Sequence, residues 1–345
     1  MESIRSDKSN YSDNDLLFEF LRPNENDLLK DLKSSDLQEL LYRLDKYYLE
    51  LRTTLGFDEK VTFGLELEFE NAMRKRIENK MNEIGLLKRW PLVNDGSLTK
   101  GAEINSPILK DEISTWLELK DVCSVVSNYA VIGKNSGGHI HIGTQVLGGN
   151  KDSWLNFIRL WSVYENIIFR FLYGEKITGR KSISEYAKPI SRKLWRDYEY
   201  LKTFPEVPFV FIKGVLNSGR YQSVNFGNIY MPEDICRNNT LEFRSPNGTL
   251  EPVVWQNNVN LLVNILKYSK SCNFNEDLIM KRRRENIDKY SYLEWYDEIY
   301  LDQSLELADM LFDNNLDKIY FLRQYLKSFQ TGRTKSNKQK TFIKK

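Results

Sequence analysis

The stretch Phe63-Gly64-Leu65-Glu66-Leu67-Glu68-Phe69-Glu70 decides how this chain is read. Its apolar residues recur with a period of two, the period of a β-strand. Leu65, Leu67 and Phe69 fall on one face, while Gly64, Glu66, Glu68 and Glu70 share the other. Same-face neighbours stand about 6.6 Å apart at a rise of ~3.3 Å per residue. Two carboxylates at that spacing repel by roughly 0.6 kcal/mol in water and by about 2.5 kcal/mol at an effective dielectric of ~20. An exposed acidic face therefore costs little, whereas the same face inside a cleft needs cations.

Three further segments repeat the alternation. Ala102-Glu103-Ile104-Asn105-Ser106-Pro107 follows the turn signal Asn94-Asp95-Gly96-Ser97 and sets Glu103 opposite Ile104. Gly137-Gly138-His139-Ile140-His141-Ile142-Gly143 carries the chain's two histidines on one face and Ile140 and Ile142 on the other. Thr240-Leu241-Glu242-Phe243-Arg244-Ser245-Pro246 pairs Glu242 with Arg244 on its polar face, with Ser223-Val224-Asn225-Phe226 as the expected neighbouring strand. The flanking glycines of the histidine strand are expected to admit a ligand close to the backbone. Taken singly, these faces read equally well as solvated acids, structural histidines and a cross-strand salt bridge. Taken together they favour one shared polar site, rich in oxygen ligands and suited to Mg²⁺ or Mn²⁺ with phosphate.

Helical periods fill the intervals at about 111–132, 152–173 and 252–268, and return over 284–330. Leu37, Leu40, Leu41, Leu44, Tyr47, Tyr48 and Leu51 trace an amphipathic helix. Residues 174–209 are basic and aromatic without a clear period. That excursion is expected to cover the sheet, or to meet an acidic substrate through Arg192, Lys193, Trp195 and Arg196. The pattern is α+β, one mostly antiparallel sheet with helices on one face. Its expected divisions are a tail and helical extension at 1–58, a catalytic domain at 59–272, a helical region at 273–330 and a basic, disordered tail at 331–345.

Fifty Lys and Arg against 48 Asp and Glu leave a formal charge of +2 over 345 residues, with no global footprint for nucleic acid. The basic runs at 281–284 and 333–345 read as solvated surface. No apolar run approaches the ~20 residues of a membrane span. The polar N-terminus and the widely spaced Cys123, Cys236 and Cys272 lead to the expectation of a cytoplasmic protein with reduced thiols. Gly214 to Arg220 imitates the spacing of a P-loop but lacks its Lys-Ser/Thr end. G-x-S-x-G, H-E-x-x-H and G-x-G-x-x-G motifs are absent from the sequence.

In order, Phe-Gly-Leu-Glu-Leu-Glu (63–68), Asp-Gly-Ser (95–97), Ala-Glu-Ile-Asn-Ser-Pro (102–107), Gly-Gly-His-Ile-His-Ile-Gly (137–143), Arg-Tyr-x-x-x-Asn (220–225) and Leu-Glu-Phe-Arg with Gly-Thr-Leu (241–250) resemble the amidoligase family. That family belongs with the carboxylate–amine ligases of glutamine-synthetase-like catalytic fold. The resemblance implies a curved antiparallel sheet whose concave face binds ATP and divalent ions, with helices on the convex face. It implies that Glu66, Glu68, Glu103, His139, His141 and Glu242 ligate Mg²⁺ or Mn²⁺. It implies contacts to the nucleotide from His139, His141, Asn225 and Arg244, and to substrate from Arg220, Tyr221 and Asn225. Arg244, Arg220 and Asp95 are the implied catalytic set. Strict alternation from Val224 and Phe226 would put Arg220 on the core face unless a bulge intervenes.

The implied reaction is ATP-dependent amide formation between a carboxylate and an amine, on an amino acid or peptide, through an acyl phosphate. Asp95 or Glu70 is the expected base. The same residues also accommodate a phosphotransferase of the same fold, a metal-dependent hydrolase using His139 and His141, or a binding module that kept the sheet. Neither nucleic acid nor membrane is an expected partner, and a homo-oligomer is compatible with the pattern.

Overall fold

A computed structural model describes residues 37–44, 47–204, 209–216, 219–229, 239–290 and 293–327. Cys236 and the 331–345 tail lie outside the described residues, as does the chain before residue 37. The helices are α1 (Leu37–Leu44), α2 (Arg74–Glu83), α3 (Ile113–Ser127), α4 (Lys151–Leu172), α5 (Ile183–Tyr186), α6 (Ser191–Leu201), α7 (Phe209–Leu216), α8 (Pro252–Lys270), α9 (Glu276–Asn286), α10 (Leu301–Leu311) and α11 (Asn315–Tyr325). The strands are β1 (Phe63–Phe69), β2 (Leu92–Val93), β3 (Ala102–Asn105), β4 (Gly138–Gly143), β5 (Val224–Asn225) and β6 (Thr240–Phe243).

These strands form one open antiparallel sheet in the order β2-β3-β1-β4-β6-β5. Alternation fixes which side of it is buried. Leu65, Leu67, Phe69, Ile104, Ile140, Ile142, Leu241 and Phe243 are all at most 1% exposed. Helices cover that face. Phe157 and Trp161 of α4 meet the Phe243 ring, and Trp116 of α3 stacks on Phe63 with centroids 5.3 Å apart. Trp255 of α8 lies so close to Gly138 that a Cβ there would stand 2.5 Å from the indole. One apolar core runs from Leu44 to Leu326 through all these elements.

Several expected boundaries move. A strand that the pattern does not mark, β2, precedes the Asn94–Ser97 turn: Leu92 and Val93 pair with Ile104 and Glu103 and form one edge of the sheet. Helix α3 is shorter than the expected 111–132 because its flanks have other bonding. The Asp111 carboxylate accepts from the N–H groups of Leu55 and Phe57 and from the Trp116 indole, and Val131 leaves the helix to bridge Glu70. Part of the 281–284 run is engaged rather than merely solvated: Arg282 pairs with Glu285 and Glu306, and Arg283 lies over the rings of Trp195 and Tyr290.

The 174–209 excursion is not structureless. Its second half, α6, packs on α4 with Leu194, Tyr198 and Leu201 buried. Lys193 and Arg196 both turn to Asp197, and Trp195 packs at a tilt against Tyr198 beneath Arg283. Those residues cover helices; Arg192 is exposed. The segment before them, residues 180–186, reaches the polar face of the sheet.

Glu165 anchors this arrangement from inside α4. Its carboxylate is completely buried and accepts from the N–H groups of Ile190 and Ser191, the hydroxyls of Ser191 and Ser223, and the Trp161 indole. The backbone just after the two stretches that reach the polar face, near 190 and near 223, is thereby tied to one helix. Glu165→Gln would replace an accepting oxygen with a donor facing other donors, leaving one or two buried groups unsatisfied at about 1–3 kcal/mol each. The expected loss is roughly 2–4 kcal/mol in urea unfolding with the slope unchanged. A midpoint equal to the parent's would show that these bonds contribute nothing net.

Candidate metal and phosphate site

The polar face of the sheet gathers the chemistry. Register sets Glu66 opposite His139, Gly64 opposite His141, Glu68 opposite Glu103 and His141 opposite Glu242. Glu66 sits between the two imidazoles: one oxygen is 2.7 Å from His139 Nδ1 and the other 2.9 Å from His141 Nε2. His141 Nδ1 lies 3.2 Å from the Thr240 hydroxyl. Burial opposes ionisation of Glu66, but the hydrogen bonds and charges of the two histidines outweigh it and hold its carboxyl far below the usual range. The same contact raises His141 despite its burial.

His139 is the pivot of the cluster. With Nδ1 bonded to Glu66, its Nε2 faces Glu68 Oε1, 3.4 Å away. That Nε2 is buried and makes no hydrogen bond among the described residues. An imidazole held by a carboxylate on one nitrogen and open on the other is the arrangement that metal-ligating histidines adopt. Two groups of donors converge here: Glu68, Glu103 and His139, and Glu66, His139 and Glu242. Within each, the candidate ligand atoms lie within 4.8 Å of one another. His141 falls outside both groups and lines the neighbouring cavity.

Glu103 records the crowding of these carboxylates. Burial, and then the charges of Glu66, Glu68 and Asp95, push its carboxyl up to about 8. Oxygen-rich donors, a half-buried acid that resists ionisation and an orphaned imidazole nitrogen together fit a hard divalent cation.

Cations of the protein stand around this group. Arg244 donates through Nη1 to Glu242 and through Nε to the Tyr186 carbonyl, 3.2 Å away. Arg180, which the sequence pattern did not single out, is buried behind the site and donates to the carbonyls of Pro246 and Arg244, each at 3.0 Å. Its guanidinium occupies the space a Cβ on Gly137 would need, 1.6 Å from Nη1. This corrects one expectation. The glycines around the histidine strand admit protein groups, Arg180 at Gly137 and Trp255 at Gly138.

The remaining expected residues separate into wall and support. A cavity of about 670 Å³ is lined by Glu66, Glu68, Asp95, Glu103, His139, Arg180, Tyr186, Arg220, Tyr221 and Arg244 among others. Arg220 reaches it because residues 220–221 form a turn ahead of β5, so strand parity does not apply and no bulge is needed. Its guanidinium lies 4.9 Å from the Tyr221 ring, which meets Tyr186 edge-on. Asn225 is buried and donates to Glu242 Oε2 at 2.7 Å, so it orients that carboxylate. Glu70, an expected alternative base, instead stitches two loops together: it accepts from Thr99 N–H and the Asn135 amide. Asp95 accepts from the Ser97 N–H and hydroxyl, each 2.7 Å away, within its turn. A second cavity of about 540 Å³ shares Glu66 and is lined by Gly64, His141, Lys88, Pro91, Pro107 and Ile108 among others.

No helix among the described residues is long and apolar enough to cross a membrane. Among the described residues neither Cys123, which is buried, nor Cys272, which is exposed, forms a disulfide. Residues 88–266, just over half the chain, match the family model described as "Putative amidoligase enzyme", a description that denotes a ligase-type enzyme. No curated protein matches the chain.

Glu103 yields a test of the crowding. Its folded-state pKa lies above the ordinary 4.5, so between 4.5 and about 8 the folded protein holds more protons than the unfolded chain. Stability contributed below that window is lost as pH rises through it. In the presence of EDTA, the thermal midpoint is expected to fall across this range, and Glu103→Gln to flatten the decline. Mn²⁺ should restore stability at pH 8 in the parent protein and less so in the variant. An equal slope in both proteins would remove Glu103 from the acidic cluster.

Proposed function

The chain belongs to the amidoligase family, and on that premise we propose that it is an ATP- and divalent-cation-dependent ligase joining a carboxylate to an amine through an acyl phosphate. One observation carries the reading: two donor groups sharing His139 lie on one sheet face beside Arg244 and Arg220. A single histidine–carboxylate pair would suit many proteins. Converging acids with neighbouring guanidinium groups suit a phosphoryl group that arrives with cations.

Glu68, Glu103 and His139 Nε2 would hold one divalent ion, with Glu66 fixing the ring from its other nitrogen. Glu66 and Glu242 would provide the donors for a second. Bound there, such ions neutralise the charge of the nucleotide phosphates. A carboxylate is a poor electrophile, so its oxygen first attacks the γ-phosphorus and ADP departs. The amine nitrogen then attacks the acyl carbon, the C–O bond to phosphate breaks, and the amide and inorganic phosphate leave. The amine's proton needs an acceptor, and Asp95, on the wall of the larger cavity and bonded within its own turn, is assigned that part.

Arg244 is assigned to the transferring phosphoryl group, and Arg220 with Tyr221 to the acid. No side-chain nucleophile is required by this chemistry. The protein positions oxygens in line, balances charge and excludes water from the activated acyl group. Meeting of the two cavities at Glu66 supports this reading, since nucleotide and acceptor must approach one reacting centre from different sides.

The test combines substrate screening with one variant. ATP turnover is followed against mixtures of amino acids and peptides, with mass spectrometry for new amides. Amide plus ADP and phosphate supports the reading. A stable phosphorylated acceptor identifies a phosphotransferase, and hydrolysis without nucleotide overturns the ligase assignment. In an active mixture, Arg244→Lys keeps the charge but loses the planar fork. Turnover is expected to fall by about 10²–10³, while ATP affinity changes far less. Normal turnover in that variant would take Arg244 out of the reaction.

A further inference from the structure

Arg180 also lines a separate cavity of about 200 Å³. Lys134, Lys176 and Lys181 line it together with Ser136, Thr178, Asn247 and the glycines 133, 179 and 248, and no acidic residue does. All three lysines are exposed and form no ion pair among the described residues. We propose that this cavity is a binding site for a single tetrahedral oxyanion, either inorganic phosphate or the phosphate group of a small molecule.

The argument rests on charge, size and position. Like charges brought together on two adjoining loops repel, and an anion between them turns that repulsion into attraction. The cavity is far roomier than the ~10–15 Å³ that a single water needs, so one hydrated oxyanion fits. The acid adjacent in sequence, Glu175, is half-buried; burial raises its carboxyl, with the charge of Lys176 opposing that rise.

Position gives the site its interest. The two loops are already joined, Lys181 N–H donating to Lys134 O at 3.0 Å. One loop carries Arg180, which lines this cavity and the larger one. Its Nε is buried and unbonded among the described residues. The other loop continues to Gly137, whose N–H donates to Glu68. An anion that clamps Lys134 to Lys176 and Lys181 therefore steadies both supports of the metal cluster. The inference does not depend on the proposed ligase reaction, and its test uses no nucleotide or divalent ion.

The experiment measures thermal midpoints of the full chain against inorganic phosphate at constant ionic strength, with EDTA present. An Arg220→Gln background weakens competing anion binding in the larger cavity. Phosphoserine forms a second arm. Saturable stabilisation is expected from phosphate. It should weaken about tenfold or more in Lys176→Gln and further in the variant that also carries Lys134→Gln and Lys181→Gln. These lysines are exposed, so the substitutions should leave folding intact; the single variant suffices if the triple one misfolds. Equal response to phosphoserine points to a phosphorylated small molecule as the natural occupant, and response to phosphate alone points to the free ion. An unchanged affinity in the lysine variants, or no saturable response to either probe, overturns the proposal.

Discussion

The antiparallel register between β1 and β4 is the constraint on which the rest of the molecule depends. It sets Glu66 against His139 and Gly64 against His141, and puts Leu65 and Ile140 together on the buried side. A slip of one residue would turn every side chain of the slipped strand to the other face. Glu66, if β1 slipped, or both imidazoles, if β4 did, would then enter the apolar core, where unpaired charge is prohibitive. The apolar packing of Phe157, Trp161 and Trp255 against this sheet thus also aims the polar residues. Core and site are two sides of one decision.

Placing acids on that free face creates a strain that the protein relieves with its own groups. Glu66 is satisfied by two histidines, Glu242 by Arg244 and Asn225, and Glu68 by the Gly137 N–H. Glu103 has the weakest support and shows the largest displacement toward its protonated form. His139 Nε2 is left without a bond at the same point. A buried nitrogen without a hydrogen bond, beside an acid that resists ionisation, gives a donor set that fits a divalent cation.

Support for the site comes from far along the chain. Glu165, buried in α4, holds the backbone near residues 190 and 223, a few residues beyond Tyr186 and beyond Arg220 and Tyr221, which line the cavity over the sheet. Arg180 is held by carbonyls of the residues that follow β6. Replacing Arg180's neighbour Gly137 by any larger residue would displace the guanidinium, so strand, glycine and arginine form one fitted unit. Arg180 also lines the lysine-lined cavity, so the unit borders both spaces.

The alternation of apolar and polar residues was enough, by itself, to determine the strands, their buried faces, and the company of Glu66, Glu68, Glu103, His139, His141, Glu242 and Arg244 on one polar surface. Period two is a local property, and burial enforces it residue by residue. Other features carried no such local mark. β2 is only two residues long and exists because β3 offers it an edge. Arg180, Tyr186 and the lysine-lined cavity lie in an aperiodic segment whose position is set by distant hydrogen bonds. The same holds for parts assigned by pattern alone. Arg220 escapes strand parity by sitting in a turn, Asn225 turns inward to Glu242, and Glu70 closes loops. Which nitrogen of His139 stays open, and which acid bears the crowding, follow from distances of a few ångströms between strands. Only tertiary structure decides those, because they depend on partners that the sequence places up to a hundred residues apart.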